Sequence, residues 1–281
     1  MMSAIEWKVA GSRRDLTKRA MLMGVLNVTP DSFSDGGQFF ATEAAVRHGM
    51  EMAQSGAEII DVGGESTRPG ADPVSPNEEM ERVLPVIEQL KAVSSLISID
   101  TSKAGVARVA LEAGATIIND VTGGRGDPEM LALAAETGAA LVIMHMQGTP
   151  RTMQINPTYR DVVAEVADFF RQQFELAIRS GIDPMCIAFD PGIGFGKTGA
   201  HNLELLANLS RLRVANRPLV VGVSRKSFLG KITGQSADRA SATVAMTSLL
   251  RERGANVLRV HDIAQNADAL RTTEALMAAT Q

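Results

Sequence analysis

A single (β/α)₈ barrel is the fold class that this sequence predicts, and three observations predict it. Eight short apolar or β-branched runs alternate with stretches of helical periodicity. Four of the joins, "SGAEIID", "AGATIIND", "TGAALVIM" and "RGANVLRV", share one plan, in which a glycine ends a helix and a strand follows within about two residues. The chain has 281 residues, and eight βα units in a barrel take ~250. An open, doubly wound sheet is the alternative. The regular alternation and the lack of a dinucleotide fingerprint favour the barrel.

The elements follow in order. Met21–Leu26 is the first strand, and Glu43–Gln54 the first helix, ended by Gly56. Glu58–Val62 leads to Glu78–Val93, whose start at "SPNEE" places a proline where its fixed φ suits a helix. Leu96–Ile99 and Lys103–Ala113 form the third unit, and Thr116–Ile118 with Pro128–Thr137 the fourth. Ala140–Met144 precedes a helix over Tyr159–Arg179, and Met185–Phe189 precedes one over Asn202–Val214. Pro218–Val223 with Ser236–Arg253, then Asn256–Val260 with Ile263–Ala279, complete eight units. No linker or low-complexity segment divides the chain, so residues 21–281 read as one domain behind an N-terminal extension over 1–20.

Composition excludes several functions. Lys and Arg number 28 against 32 Asp and Glu, a net charge of −4, whereas nucleic acids and anionic membranes call for a basic patch. No run approaches the ~18 apolar residues of a membrane span, and the N-terminus lacks the apolar stretch of a secretion signal. A cytoplasmic location is expected. Cys186 is the only cysteine, which removes disulfides and thiolate zinc sites. It lies in an apolar run and reads as a small core residue.

In a barrel, chemistry sits at the C-terminal ends of the strands. Those ends carry Asn27, Asp61, Asp100, Asn119, His145, Asp190, then Ser224-Arg225-Lys226, and finally Arg259 and His261. Any one Asp or Asn there also suits a helix cap, but all eight strands deliver polar groups to one rim. Asp100, Asn119 and Asp190 can converge on a heterocycle with several N–H groups, and Lys226 adds a donor for a ring carbonyl. Arg68, Arg259 and His261 form an anion clamp, since arginine binds phosphate in a bidentate fashion. The site reads as two halves, a carboxylate and amide pocket beside a cationic one.

Other motifs fail. "DPGIGFGKT" would need glycine at position 191 to be a phosphate loop, and Pro191 stands there. Its glycines instead make a tight turn that brings Phe195 over the site. His48, His145, His201 and His261 lack metal-ligand spacing. His145 reads as a residue that orients its neighbours. Ser102 and Ser224 lack the context of a nucleophile elbow.

Taken together, "MGVLNVTPDSFSDGG", "GAEIIDVGGESTRPGA", "SIDTSK", "INDVTGG", "MHMQGTPRTMQ", "DPGIGFGKT", "GVSRKSFLG" and "RVHD" resemble the dihydropteroate synthase family. They run in family order over residues ~21–265. The resemblance implies condensation of 6-hydroxymethyl-7,8-dihydropterin pyrophosphate with p-aminobenzoate, with Mg²⁺ assisting and a homodimer as the usual assembly. It implies that Asn27, Thr67, Asp100, Asn119, Asp190, Lys226, Arg259, Val260 and His261 bind the pterin pyrophosphate. Asn27 also offers an oxygen to Mg²⁺. Phe33, Arg68, Pro69, Phe195 and Ser227 frame p-aminobenzoate, and Asp100, Lys226 and Arg68 take part in catalysis. The loops "NVTPDSFSDGG" and "GGESTRPGA" would act as lids. Asp31 has no assigned role, because a turn-stabilising carboxylate looks the same. Two rivals share parts of the pocket, a pterin-dependent methyltransferase barrel and a barrel that binds pterin without catalysis. The first has no need of "NVTPDSF", "SRKS" or "RVHD", and the second would be expected to lack Asn27, Arg68 or His261.

Overall fold

The structure, a computed structural model, describes residues 4–29, 37–67, 70–234 and 239–279, with backbone alone over 37–40. A hairpin of β1 (Glu6–Val9) and β2 (Ser12–Asp15) comes first. The eight barrel strands follow: β3 (Met21–Asn27), β4 (Ile59–Gly63), β5 (Leu96–Asp100), β6 (Ile117–Asp120), β7 (Ala140–Met144), β8 (Ile187–Asp190), β9 (Val220–Val221) and β10 (Val257–Val260). Between and after them run α1 (Gly37–Gln54), α2 (Pro76–Leu90), α3 (Ala104–Ala113), α4 (Met130–Thr137), α5 (Val162–Arg179), α6 (Gly199–Ala207), α7 (Ser227–Thr233), α8 (Ala240–Glu252) and α9 (Ile263–Ala279). The strands are parallel in the order β8-β7-β6-β5-β4-β3-β10-β9. A bridge between Phe189 and Leu219 joins the two ends, with the Phe189 N–H donating to the Pro218 carbonyl at 3.0 Å. The barrel class is therefore as the sequence predicts.

Alternation along each strand divides the core. Ile60 and Val62 face the helices, while Ile59 joins Met21, Met23, Ile117, Val142 and Val257 inside the barrel. The outer layer is almost wholly aliphatic, as expected of a parallel sheet covered by helices. The interior changes character along its length. Apolar side chains fill the ends where the strands begin, and polar ones line the ends where they finish.

The described part of residues 1–20 is the hairpin, and it is built into the barrel. Trp7, Val9 and Leu16 belong to the inner core, and Trp7 is fully buried with its indole N–H donating to the Cys186 carbonyl at 3.0 Å. It fills the floor, at the ends where the strands begin. Strand periodicity in a four-residue run is too short to announce such a plug.

The seventh unit departs most from the sequence prediction. Only Val220–Val221 forms ladder pairs, not the whole of Pro218–Val223. Pro218 has no N–H to give, and the Leu219 N–H donates to the Asn256 side-chain oxygen at 3.1 Å in place of a ladder partner. The short helix α7 was not expected, and α8 begins at Ala240, with residues 235–238 outside the described part. The sixth helix stops at Ala207 and continues as a 3₁₀ turn, Leu209–Leu212.

Because Trp7 fills the floor, Trp7→Ala is expected to destabilise the fold by about 3–5 kcal/mol, read from urea unfolding. A loss below about 1 kcal/mol would show that the hairpin is not part of the cooperative unit.

Candidate active site

The rim collects residues from strands that are distant in sequence. The first cluster is centred on Arg259 of β10. Its Nε donates to Asp61 Oδ2 at 2.7 Å and its Nη2 to Asp100 Oδ2 at 2.7 Å. Asn119 donates from Nδ2 to the same Asp61 oxygen at 2.9 Å. The strand register explains the meeting. Asp100 pairs with Gly63 on one side and Asn119 on the other, so β4, β5 and β6 present their ends side by side. Asp61 is wholly buried, and the side chain of Asp100 is only 10% exposed. Among the described residues, the second oxygen of each carboxylate is buried without a partner. Two buried acceptors at the rim end of the strands are thus left with hydrogen-bonding capacity to spare. Burial pushes Asp100 up to about 7, Arg259 pulls the other way, and the neighbouring charge of Asp61 adds to the rise. Burial opposes the charge on Arg259, but Asp61 and Asp100 hold its acidity weaker than that of an ordinary guanidinium.

The second cluster lies on the β8–β9 side. Asp190 is buried and accepts the Gly192 N–H at 2.7 Å. Burial raises its pKa, with Lys226 the leading counterweight. The Lys226 ammonium donates to the Ile193 carbonyl and lies 4.8 Å from the centre of the Phe195 ring. Burial pushes Lys226 down to about 8. Phe195 and Lys226 therefore face one another across the cavity mouth, a cation over an aromatic face.

The glycines of "DPGIGFGKT" have a steric cause. Gly192 has φ 63°, and a side chain there would meet the His145 carbonyl oxygen at 1.9 Å; at Gly196, φ 63°, it would meet that of Gln147 at 2.5 Å. The loop lies against the chain that follows β7, and its carbonyls are captured. Gln154 Nε2 donates to Gly194 at 2.6 Å, Tyr159 Oη to Gly196 at 2.8 Å and Lys197 Nζ to Phe195 at 2.9 Å. Lys197 turns inward, 3.0 Å from His145 Nδ1, and so does not serve as a phosphate-loop lysine. Burial pushes Lys197 down to about 7 and His145 down to about 2. His145 is thus a neutral bracket for this loop, an orienting residue as its sequence position predicts.

The third cluster is the anion side. Arg225 adopts φ 57°, a conformation sparse for a residue with a side chain, and so turns Ser224 and Lys226 to different sides. Ser224 meets His261, and Arg225 grips Asp262 with bonds of 3.2 and 2.5 Å. Val260 is buried, while Asn27 and Thr67 are half-buried near the same rim. Ser227 is the exposed first residue of α7. Arg68, Pro69, Phe33 and Asp31 lie outside the described residues. At the root of the Thr67 loop, the Lys103 ammonium bridges Glu65 and the fully buried Glu79.

Sequence reasoning put Asp61 on the rim without a role, and missed Lys197 as a buried bracket and the Glu65–Lys103–Glu79 bridge. Asp61 carried a signal, being a lone carboxylate inside an apolar strand. Lys197 and Glu79 carried none, since each sits in a segment that also suits the surface.

Residues 23–261 match the family model described as pterin binding enzyme. The dihydropteroate synthase of Synechocystis is 46% identical over 265 residues, 93% of this chain and 92% of its own. The structure of Xanthomonas albilineans dihydropteroate synthase with 4-aminobenzoic acid superposes with a TM-score of 0.91 at 44% identity, covering 98% of this chain and 99% of that one. The Yersinia pestis dihydropteroate synthase in complex with a sulfonamide drug gives 0.91 at 42% identity over 98% and 100%. Family model, relatives and solved structures agree over nearly the whole chain, and the chain belongs to the pterin-binding enzymes, in their dihydropteroate synthase family.

Proposed function

We propose that this enzyme joins 6-hydroxymethyl-7,8-dihydropterin pyrophosphate to p-aminobenzoate, forming 7,8-dihydropteroate and pyrophosphate in folate biosynthesis. The observation that carries the reading is the Arg259 guanidinium clamped between Asp61 and Asp100, with Asn119 bound to the same Asp61 oxygen. Acceptors suited to a pterin edge beside a cation suited to a pyrophosphate support this reading. Asp190 and Asn119 take the amino-pyrimidinone edge, Lys226 the ring carbonyl side, and Asp100 the far ring. Arg259 and His261 hold the pyrophosphate, with the backbone of Val260 between them and Thr67 on the same substrate. Phe195, Ser227, Phe33, Arg68 and Pro69 frame p-aminobenzoate, Ser227 meeting its carboxylate. The 4-aminobenzoic acid of the Xanthomonas structure supports that second substrate, and the drug complex of the Yersinia protein supports sulfonamide inhibition here.

The chemistry asks for little proton transfer. The bond between the pterin methylene and its pyrophosphate oxygen breaks, and the electron pair leaves with pyrophosphate. The cation left behind is delocalised into the ring. The aryl amine attacks it, the C–N bond forms, and the nitrogen gives up one proton to the released pyrophosphate. Ionised Asp100 lies close to the developing positive charge, while Arg259, His261 and Arg68 bind the departing negative charge. Closure over the site excludes water, which would otherwise trap the cation.

A magnesium ion fits the residues at the rim in one way. Among the described residues no group of three His, Cys, Asp or Glu could cage a metal. Asn27 alone offers a neutral oxygen from the end of β3, and Mg²⁺ commonly keeps waters and binds substrate phosphates through few protein ligands. Asn27 would hold it, and bound there it would neutralise charge on the pyrophosphate. A homodimer is supported by α8 and α9, packed side by side with Leu249 and Leu276 exposed at 43% and 63%. Among the described residues no helix is long and apolar enough to cross a membrane, which agrees with work in the cytoplasm.

The purified protein with both substrates and Mg²⁺ is expected to form dihydropteroate; pyrophosphate-substrate binding without product would leave only a pterin-binding role. Asp100→Asn is expected to lower kcat by roughly 10²–10³, with no loss of folded protein by circular dichroism. Asp100 acts as the ionised form and Lys226 as the protonated one. The rate should therefore fall as pH drops below about 7 and again as it rises above about 8. Lys226→Met should remove the alkaline limb and spare the acid one, and two unchanged limbs would refute the assignment. Asn27→Ala is expected to raise the Mg²⁺ concentration that gives half-maximal rate by about tenfold, and an unchanged Mg²⁺ dependence would take Asn27 out of the metal site.

A further inference from the structure

The reaction proposed above uses His261 but leaves one contact of its ring unexplained. Ser224 is buried, 6% exposed, where the chain leaves β9. Its Oγ lies 2.9 Å from His261 Nδ1 and 3.2 Å from the His261 backbone nitrogen. The backbone N–H can only donate, so it occupies Ser224 Oγ as an acceptor. Among the described residues the Ser224 proton has no other acceptor, so giving it to His261 Nδ1, within reach at 2.9 Å, satisfies the hydroxyl.

We infer that Ser224 is a positioning residue that fixes the tautomer of His261, with Nδ1 unprotonated and Nε2 carrying the proton. In a neutral imidazole the bond made by one nitrogen decides which nitrogen is protonated. An acceptor at Nδ1 makes Nε2 a donor, and a donor is what an anionic leaving group needs. Losing Ser224 removes the donor that favours this tautomer, and the other tautomer turns a lone pair toward the pyrophosphate. The inference rests on the proposed role of His261.

The main chain supports this geometry independently. Arg225 sits in the left-handed region at φ 57°, which lets Ser224 turn toward β10 while Lys226 turns into the pocket. Arg225 binds Asp262 through both Nε and Nη2 at 3.2 and 2.5 Å, and the Asp262 carbonyl accepts from Asn266 Nδ2 at 2.6 Å. The segments on either side of the Ser224–His261 contact are thus pinned to one another. The distance between hydroxyl and ring is set by the backbone rather than by two loose side chains.

The test uses the full-length enzyme with ring-nitrogen-labelled histidine. Nitrogen NMR should show the His261 ring protonated on Nε2 in the wild type and a mixture of tautomers in Ser224→Ala. In the same variant kcat should fall about tenfold, the effect of one lost hydrogen bond. The KM for p-aminobenzoate should be unchanged, and Ser224→Thr, which keeps the hydroxyl, should restore most of the rate. A wild-type ring protonated on Nδ1, or a Ser224→Ala enzyme with unaltered tautomer and kcat, would overturn the inference. His261→Gln separates the two levels. If it leaves turnover and pyrophosphate release untouched, the role of His261 itself is wrong. If it impairs them while Ser224→Ala does not, only the role of Ser224 fails.

Discussion

The site depends on one arginine placed where water is scarce. Arg259 rises from the last barrel strand into the interior, where an unpaired guanidinium would be costly. Asp61 and Asp100 take its Nε and Nη2, and the same Asp61 oxygen holds Asn119. Residues of β4, β5, β6 and β10 are thereby joined through a single charged centre. Two carboxylates against one guanidinium leave a surplus negative charge at the place where the proposed reaction builds a positive one. Loss of Arg259 would strand two buried carboxylates, whereas loss of either carboxylate leaves the arginine one partner.

Much of the remaining structure keeps that centre at one end of the barrel. The hairpin and Trp7 fill the floor of the barrel, and polar groups collect at the opposite end. The aliphatic layer between strands and helices holds the strand register, and the register sets which strand ends meet. A shift of one residue in β5 would point Asp100 outward into the helical layer, since neighbouring side chains of a strand face opposite sides.

Around this rigid cup the segments are tied down by different means. The β8–α6 loop is held through its own carbonyls by Gln154, Tyr159 and Lys197, and its glycines permit an approach that any side chain would block. The turn after β9 relies on a left-handed Arg225 and its pairing with Asp262. The loop after β4 is anchored at its root, where Lys103 joins Glu65 to the buried Glu79. Hydrogen-bonded main chain makes the first of these part of the scaffold, and a two-point Arg225–Asp262 pair fixes the second.

Period and punctuation determined the barrel by themselves. Helical and strand periods, with glycines closing each helix, are local properties, and they survive in a single sequence without knowledge of neighbours. The rim residues were legible for the same reason, since a polar residue that ends an apolar strand announces itself. The eighth strand, "NVLRV", announced Arg259 in this way, but it could not announce that Asp61 and Asp100 would grip it, from 198 and 159 residues away. The burial of Trp7, the inward turn of Lys197 and the shortening of β9 by Asn256 were decided in tertiary structure alone. Each depends on which distant group fills a space or accepts a proton, and such partners are brought together only by the closure of the barrel.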